Sequence, residues 1–332
     1  MKRSPRWWLG SEMHAIAGCG ALNGGWMSGK FEQAGRNPIR RELRRRELRR
    51  RRLAAGGGLL GCIVILVLLV SVISGGSSSR QTTGRTVRPV SKHLNRPVAL
   101  TLQGRQLAAV TALVRRKGFV TAGGEQHREI ALTFDDGPGP YSYRLLRVIR
   151  RLHVAATFFE IGDMIRYFYD PLEDELRTAN VVIGDHTMTH PMMAELDYAS
   201  QRAEIIGQTR ELARWGGPFP HLFRPPYGSF NRNTFKILRW EDMLMVLWTV
   251  DTNDYQRPGV SAIVHSALSG ARPGAIILMH DGGGDRSETI AALPKIVRAL
   301  RARGYRLVTI PQLVLDNPPP ANQPLPRNLS GG

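Results

Sequence analysis

The sequence predicts an α/β domain built on a parallel sheet, closed or nearly closed, with its helices outside. Three observations carry that expectation. From Ile130 onward, short β-rich runs alternate with amphipathic segments of helical period, the pattern of repeated βα units. The charge is unevenly divided: residues 1–53 hold 14 Lys/Arg against 4 Asp/Glu and residues 80–128 hold 10 against 1, whereas from Glu129 to the end the count is 22 against 22. Finally, polar and ionisable clusters recur just after the strand candidates, where folds of this kind gather their chemistry.

The elements follow in order. Residues 1–53 form a basic N-terminal segment ending in "RRELRRRELRRRR" at 40–52, nine arginines against two glutamates. Next comes "LLGCIVILVLLVSVI", residues 59–73, inside an uncharged run from Leu53 to Ser79. Fifteen apolar residues reach about 22 Å, short of a hydrocarbon core about 30 Å thick, but the longer uncharged run is sufficient. Residues 54–76 are therefore expected to be a single transmembrane signal-anchor, and the arginine block keeps the N-terminus cytoplasmic and sends the rest of the chain across. A cleaved signal peptide is the competing reading; the region lacks an Ala-x-Ala site and has a very long basic leader. "LLGC" around Cys62 is not a lipobox, since the apolar run follows the cysteine. With Cys19 on the cytoplasmic side and Cys62 in the span, the exported part contains no cysteine and needs no disulfide.

Residues 77–128 read as a basic, Gly/Ser-rich stalk, with a short helix at 105–117 where Leu107, Val110, Leu113 and Val114 fall at helical spacing. The net charge of +19 thus belongs to the appendages, and the balanced domain at 129–316 does not have the charge of a nucleic-acid binder. Its strand candidates are "IALTF", "ATFFEI", "VVIGD", "HLFRP", "MLMVLWTV", "AIILMH" and "YRLVTI", with helices at 143–152, 199–215 and 287–303 between them. A Pro-rich tail occupies 317–332.

"DD" (Asp135, Asp136) follows "IALTF", "DHTMTH" follows "VVIG", "RPPY" follows "HLF", "DTND" follows "WTV", and "HD" follows "IILM". Taken singly, each has an ordinary explanation: surface or core histidines, a solvated Arg224, and Asp251 and Asp254 as turn or cap acids. Coincidence at five strand ends favours a site. His186 and His190, four apart, share one face of a helical turn and can hold one metal; Asp135 or Asp136 can complete a two-His, one-carboxylate set. Adjacent strand residues point to opposite faces, so one acid of the pair can bind metal while its neighbour is aimed elsewhere.

The ordered motifs "TFDDGP", "HTMTH", "RPPYG", "DTNDY" and "ILMHD" resemble the polysaccharide deacetylases of the NodB-like carbohydrate esterase family four, over residues 130–315. The resemblance implies a distorted (β/α) barrel and metal-dependent removal of acetyl groups from sugars. It makes Asp136, His186 and His190 the ligands of one divalent ion, zinc by first expectation. It makes Asp135 the base acting on a metal-bound water, Arg224 the group that orients Asp135, and His280 the acid supported by Asp254. The Tyr227 N–H is assigned to the oxyanion. Tyr255, a substrate-binding position, stands where Trp is usual, Ile277 where Leu is frequent, and Asp185 where Asn is common. None of these departures removes a reacting group.

With an outward-facing domain on a membrane anchor, the expected substrate is a cell-envelope glycan, first among them the N-acetylglucosamine of peptidoglycan. Chitooligosaccharide or acetylxylan deacetylation is the alternative, and a catalytically inactive wall-binding module is a reading of another class, which predicts a missing reacting group. No obligate protein partner is indicated.

Overall fold

The computed structural model describes residues 101–324. The basic segment 1–53, the expected anchor 54–76, the stalk as far as residue 100 and residues 325–332 of the tail lie outside the described residues. Among the described residues no helix is long and apolar enough to cross a membrane.

The chain runs through α1 (Leu102–Arg116), β1 (Phe119–Val120), β2 (Glu129–Gly137), α2 (Ser142–Leu152), β3 (Ala156–Glu160), α3 (Gly162–Tyr167), α4 (Tyr169–Arg177) and β4 (Val181–Asp185). It continues through α5 (Tyr198–Arg214), β5 (Leu222–Phe223), α6 (Arg232–Trp240), β6 (Leu244–Val246), β7 (Val250–Asp251), α7 (Val260–Ser269), β8 (Ile276–His280), α8 (Ser287–Ala302), β9 (Arg306–Val308) and α9 (Ile310–Asp316). Capping side chains mark several helix starts. Asn231 and Thr234 form a reciprocal capping box on α6, and Asp197 accepts from Ser200 N–H at the start of α5.

All described strand pairings are parallel, in the order β1-β6-β5-β4-β3-β2-β8-β7. Ala131 of β2 pairs with both Ile276 and Val308, so β9 lies along the edge of β2 opposite β8. β6 and β7 stand near opposite ends of this order, yet only residues 247–249 separate them. A connection that short spans at most about 3.6 Å per residue, which forces the two ends of the sheet together. The sheet is therefore curled into a half-barrel with helices around it. "MLMVLWTV", expected as one strand, is two, because the chain crosses the mouth of the curl between them.

Side-chain alternation along β2 separates two layers. Ile130, Leu132 and Phe134 join Leu145, Leu146 and Ile149 of α2 and Leu293, Ile296 and Val297 of α8 in the outer core. Ala131 belongs with Phe159, Leu244, Val246 and Ile276 to the inner cluster, which α1 and α9 complete through Val110, Leu113, Val114, Ile310, Leu313 and Val314. Thr133 and Asp135 have the parity of Ala131, so the interior line of β2 changes from apolar to polar toward its C-terminal end.

The sequence reading extended the stalk to residue 128, whereas α1 is packed into the inner core and β1 pairs with β6. The folded unit therefore includes residues 102–120. The helical spacing of 105–117 was legible; that its apolar face closes a half-barrel was not, because the surface it covers is assembled from distant strands.

Candidate active site

Parallel pairing brings the ends of β2, β4, β5, β7 and β8 to one rim, and the ionisable clusters of the sequence come with them. At the end of β2, the pairing with β3 slips between Asp135 and Gly137, and Asp136 adopts φ 72°, a left-handed conformation that Asp tolerates better than most residues. That irregularity replaces the simple alternation expected for the acid pair. Both carboxylates reach the same imidazole: His186 Nε2 lies 3.5 Å from Asp136 Oδ1 and 3.7 Å from Asp135 Oδ2.

His186 and His190 converge, but not on a helical turn. Thr187 and His190 have positive φ (68° and 65°), and the segment is a tight loop in which Thr187 N–H donates to Asp185 Oδ1 and His190 N–H donates to Thr187 Oγ1. His186 Nδ1 lies 2.7 Å from the Arg224 carbonyl, which can only accept; Nδ1 therefore carries the proton and Nε2 presents a lone pair to the rim. His190 Nε2 lies 3.2 Å from Asp136 Oδ1, and its Nδ1 lies 3.2 Å from the Tyr227 hydroxyl.

Asp136, His186 and His190 thus bring one ligand atom each to a common point. Asp136 Oδ1 is buried without a hydrogen bond of adequate geometry. Ligands about 2.1 Å from a tetrahedral ion are about 3.4 Å apart, close to the 3.2 and 3.5 Å observed. Two imidazoles and one carboxylate suit a first-row divalent ion, so the donor set fits the expected metal. Burial favours the neutral acid of Asp136, but the surrounding histidines outweigh it and hold the carboxyl well below its ordinary range.

Next to this triplet, Arg224 is fully buried. Its Nη1 donates to Asp135 Oδ1 at 2.7 Å and to Thr133 Oγ1 at 2.8 Å, its Nε donates to the Val246 carbonyl, and its guanidinium lies 4.2 Å from the Phe159 ring. Burial lowers its pKa and Asp135 opposes that shift. The arginine is consequently a fixed counter-charge for Asp135. Asp254 accepts from His280 Nδ1 at 2.7 Å, from His280 N–H at 2.9 Å and from Thr289 Oγ1 at 2.7 Å. Burial works against the His280 imidazolium, but the Asp254 bond and charge, with Asp136 and Asp135 behind, raise its pKa to about 9. Register sets Asp135 beside His280 across β2 and β8. Tyr227 (φ 58°) and Tyr255 are exposed at the rim; the Tyr255 ring stands 5.3 Å from that of His280, edge-on.

Asp135, Asp136, His186, His190, Arg224, Tyr227, Asp254, Tyr255 and His280, the site residues expected from the sequence, all lie in this cluster or on its rim. Others escaped that reading. Glu204, on α5, accepts from Met188 N–H at 3.0 Å, Thr189 N–H at 2.8 Å and Thr189 Oγ1 at 2.9 Å, clamping the loop between the two histidines. Arg286 Nε donates to the Gly282 carbonyl at 2.6 Å, beyond the last motif. Neither carried a sequence signal, since a lone charge on an amphipathic helix, like Glu204, or in a polar loop, like Arg286, is ordinarily solvated. Gly282 is required by contact: a Cβ there would lie 1.9 Å from the Asp136 carbonyl oxygen.

A family model described as polysaccharide deacetylase matches residues 122–245. The chain is 38% identical over 188 residues to a peptidoglycan-N-acetylglucosamine deacetylase of Bacillus cereus, covering 56% of this chain and 87% of the relative. It is 35% identical over 200 residues to a chitooligosaccharide deacetylase of a Bradyrhizobium species, covering 56% of this chain and 90% of the relative. Among solved structures, a peptidoglycan N-acetylglucosamine deacetylase bound to an N-hydroxybenzamide compound aligns at a TM-score of 0.58 and 32% identity, over 61% of this chain and 95% of that one.

Proposed function

The chain belongs to the polysaccharide deacetylases, hydrolases of N-acetyl amide bonds that act on cell-envelope glycans, and within that family we propose that it deacetylates the N-acetylglucosamine of peptidoglycan. The observation that carries this reading is the meeting of two ion pairs, Asp135–Arg224 and His280–Asp254, with the Asp136–His186–His190 triplet at one rim. An inactive wall-binding module would lack a reacting group; the gathering at one rim of all the residues assigned such roles from the sequence supports the active reading.

Asp136, His186 and His190 would hold a divalent ion. When bound, it supplies Lewis acidity toward the acetyl carbonyl and the attacking water. Asp135, oriented by the Arg224 guanidinium at Oδ1, takes the proton from the attacking water at its second oxygen. The Tyr227 N–H would donate to the oxygen on which negative charge develops. An amine departs poorly as an anion. His280, with Nδ1 committed to Asp254, turns Nε2 toward the sugar nitrogen and donates the proton as the C–N bond breaks. Asp254 also stabilises the imidazolium before transfer.

The expected anchor at 54–76, with the N-terminus cytoplasmic, delivers this site to the wall side of the membrane, and peptidoglycan is the polymer within reach there. The matching chitooligosaccharide deacetylase favours a second reading in which free β-1,4-linked N-acetylglucosamine oligomers are the substrate. Acetate release measured side by side on peptidoglycan, chitooligosaccharides and acetylxylan tests the assignment. Release from peptidoglycan is expected to dominate; faster release from soluble oligomers selects the second reading, and release from acetylxylan alone removes both.

A further inference from the structure

Behind the catalytic rim lies a second group of acids that the deacetylase chemistry does not use. Glu160 ends β3, Glu175 sits on α4, and Asp281 follows His280; all three are at 0% exposure. Each brings one carboxylate oxygen within 4.8 Å of the others. Both oxygens of Glu160, both of Glu175 and Oδ1 of Asp281 have no hydrogen-bond partner, and among the described residues no lysine or arginine forms an ion pair with them. Ser142 Oγ donates to the remaining oxygen, Asp281 Oδ2.

Three carboxylates cannot remain ionised and unpaired in a space without water. Protons or a cation must compensate them. Burial pushes both glutamates well above the usual carboxylate range and Asp281 up to about 7, so without a cation the cluster takes up protons. A proton shared between the glutamates, however, engages only one oxygen of each and leaves the remaining orphaned oxygens unserved. A central ion can draw on one oxygen from each acid at once, since those three oxygens lie within 4.8 Å of one another and calcium–oxygen bonds are about 2.3–2.6 Å.

We propose that Glu160, Glu175 and Asp281, assisted by Ser142 Oγ, form a second metal site that binds calcium and is separate from Asp136, His186 and His190. The donors are all oxygen, which selects a hard cation over a transition metal. Full burial leaves no place for the several waters that magnesium retains, whereas calcium accepts bidentate carboxylates in irregular geometry. The site underlies the catalytic turn: Glu160 is in register with Gly137, a Cβ on Gly137 would lie 2.3 Å from Asp281 Oδ2, and Asp281 N–H donates to the Asp135 carbonyl. Calcium would thereby tie the ends of β2, β3 and β8 to α4 beneath the acid pair.

The test uses full-length His186→Ala/His190→Ala protein in detergent, in which the other site is disabled, stripped with a calcium chelator and titrated with calcium chloride. Calorimetry is expected to show one calcium bound per chain, and Tm to rise by several degrees, because the ion binds the folded state alone. Glu160→Gln/Glu175→Gln in that background should lose both responses. Absence of heat and of a Tm shift in the parent overturns the proposal, as does a shift that survives the paired substitution. If the acids only share protons, calcium leaves the parent unchanged while the Gln pair melts higher, which also overturns it. Should the paired variant fail to fold, Ser142→Ala and Glu175→Gln separately should weaken calcium binding about tenfold or more, and unchanged affinity in both counts against the site.

Discussion

Replacing Glu204 by Ala removes three hydrogen bonds to one carboxylate from the segment that joins His186 to His190. Hydrogen bonds to a charged group contribute about 1.5–3 kcal/mol each when buried, but Thr189 is exposed and Glu204 half-buried, so the three together are taken at about 1.5–3 kcal/mol. Glu204 touches no ligand atom. It acts by holding Thr187 and His190 in left-handed conformations that the free loop would leave, and the loss should appear as ligand disorder. At 1.4 kcal/mol per tenfold, metal affinity should fall about 10- to 100-fold, within the usual range for groups that orient ligands. A competition titration against a chromophoric chelator measures this directly. Glu204→Gln, which keeps one accepting oxygen, should recover part of the affinity, and saturating metal should restore most of the turnover of Glu204→Ala. Affinity within twofold of the parent in Glu204→Ala refutes the clamp. So does a drop in Tm without any change in metal affinity, which would make Glu204 a stabilising residue only.

Asp135→Asn should retain the metal and lose most turnover, whereas His186→Ala should lose both; metal analysis beside an acetate-release assay distinguishes them, and loss of metal in Asp135→Asn reverses the assignment of the pair. Asp254→Asn removes the charge that raises the His280 pKa to about 9. Since His280 must be protonated to donate, the alkaline limb of kcat/KM should move to lower pH; a bound metal shifts both proteins alike, so the displacement between them is the quantity to read, and coincident limbs sink the assignment. A fragment starting at residue 129 lacks Val110, Leu113 and Val114, worth about 1.5–3 kcal/mol each as an upper estimate, and should be unfolded or strongly destabilised by circular dichroism beside one starting at residue 101. Protease added to intact cells should release a domain beginning near Thr101 and leave the N-terminus protected; resistance until the membrane is broken removes both the proposed topology and the peptidoglycan assignment.

Much of the site could be read along the chain because its groups sit at strand ends, where local sequence announces a change from apolar run to polar turn. "IALTF" before Asp135 and "AIILM" before His280 indicate parallel strands, and parallel strands necessarily share one C-terminal rim. Which residues gather, and in what order, was therefore determined locally. How they meet was not. The convergence of His186 and His190 depends on two left-handed residues held by Asp185, Thr187 and Glu204, and the joint approach of Asp135 and Asp136 to one imidazole depends on a slip in the β2–β3 register. The split of "MLMVLWTV" into β6 and β7, and the place of α1 in the inner core, follow from the curl of the whole sheet. The buried acids Glu160, Glu175 and Asp281 are far apart in sequence and each looks solvated in isolation. Periodicity and turn chemistry act over a few residues and are written in the sequence, whereas register, curl and burial are set by surfaces that exist only after distant strands have packed.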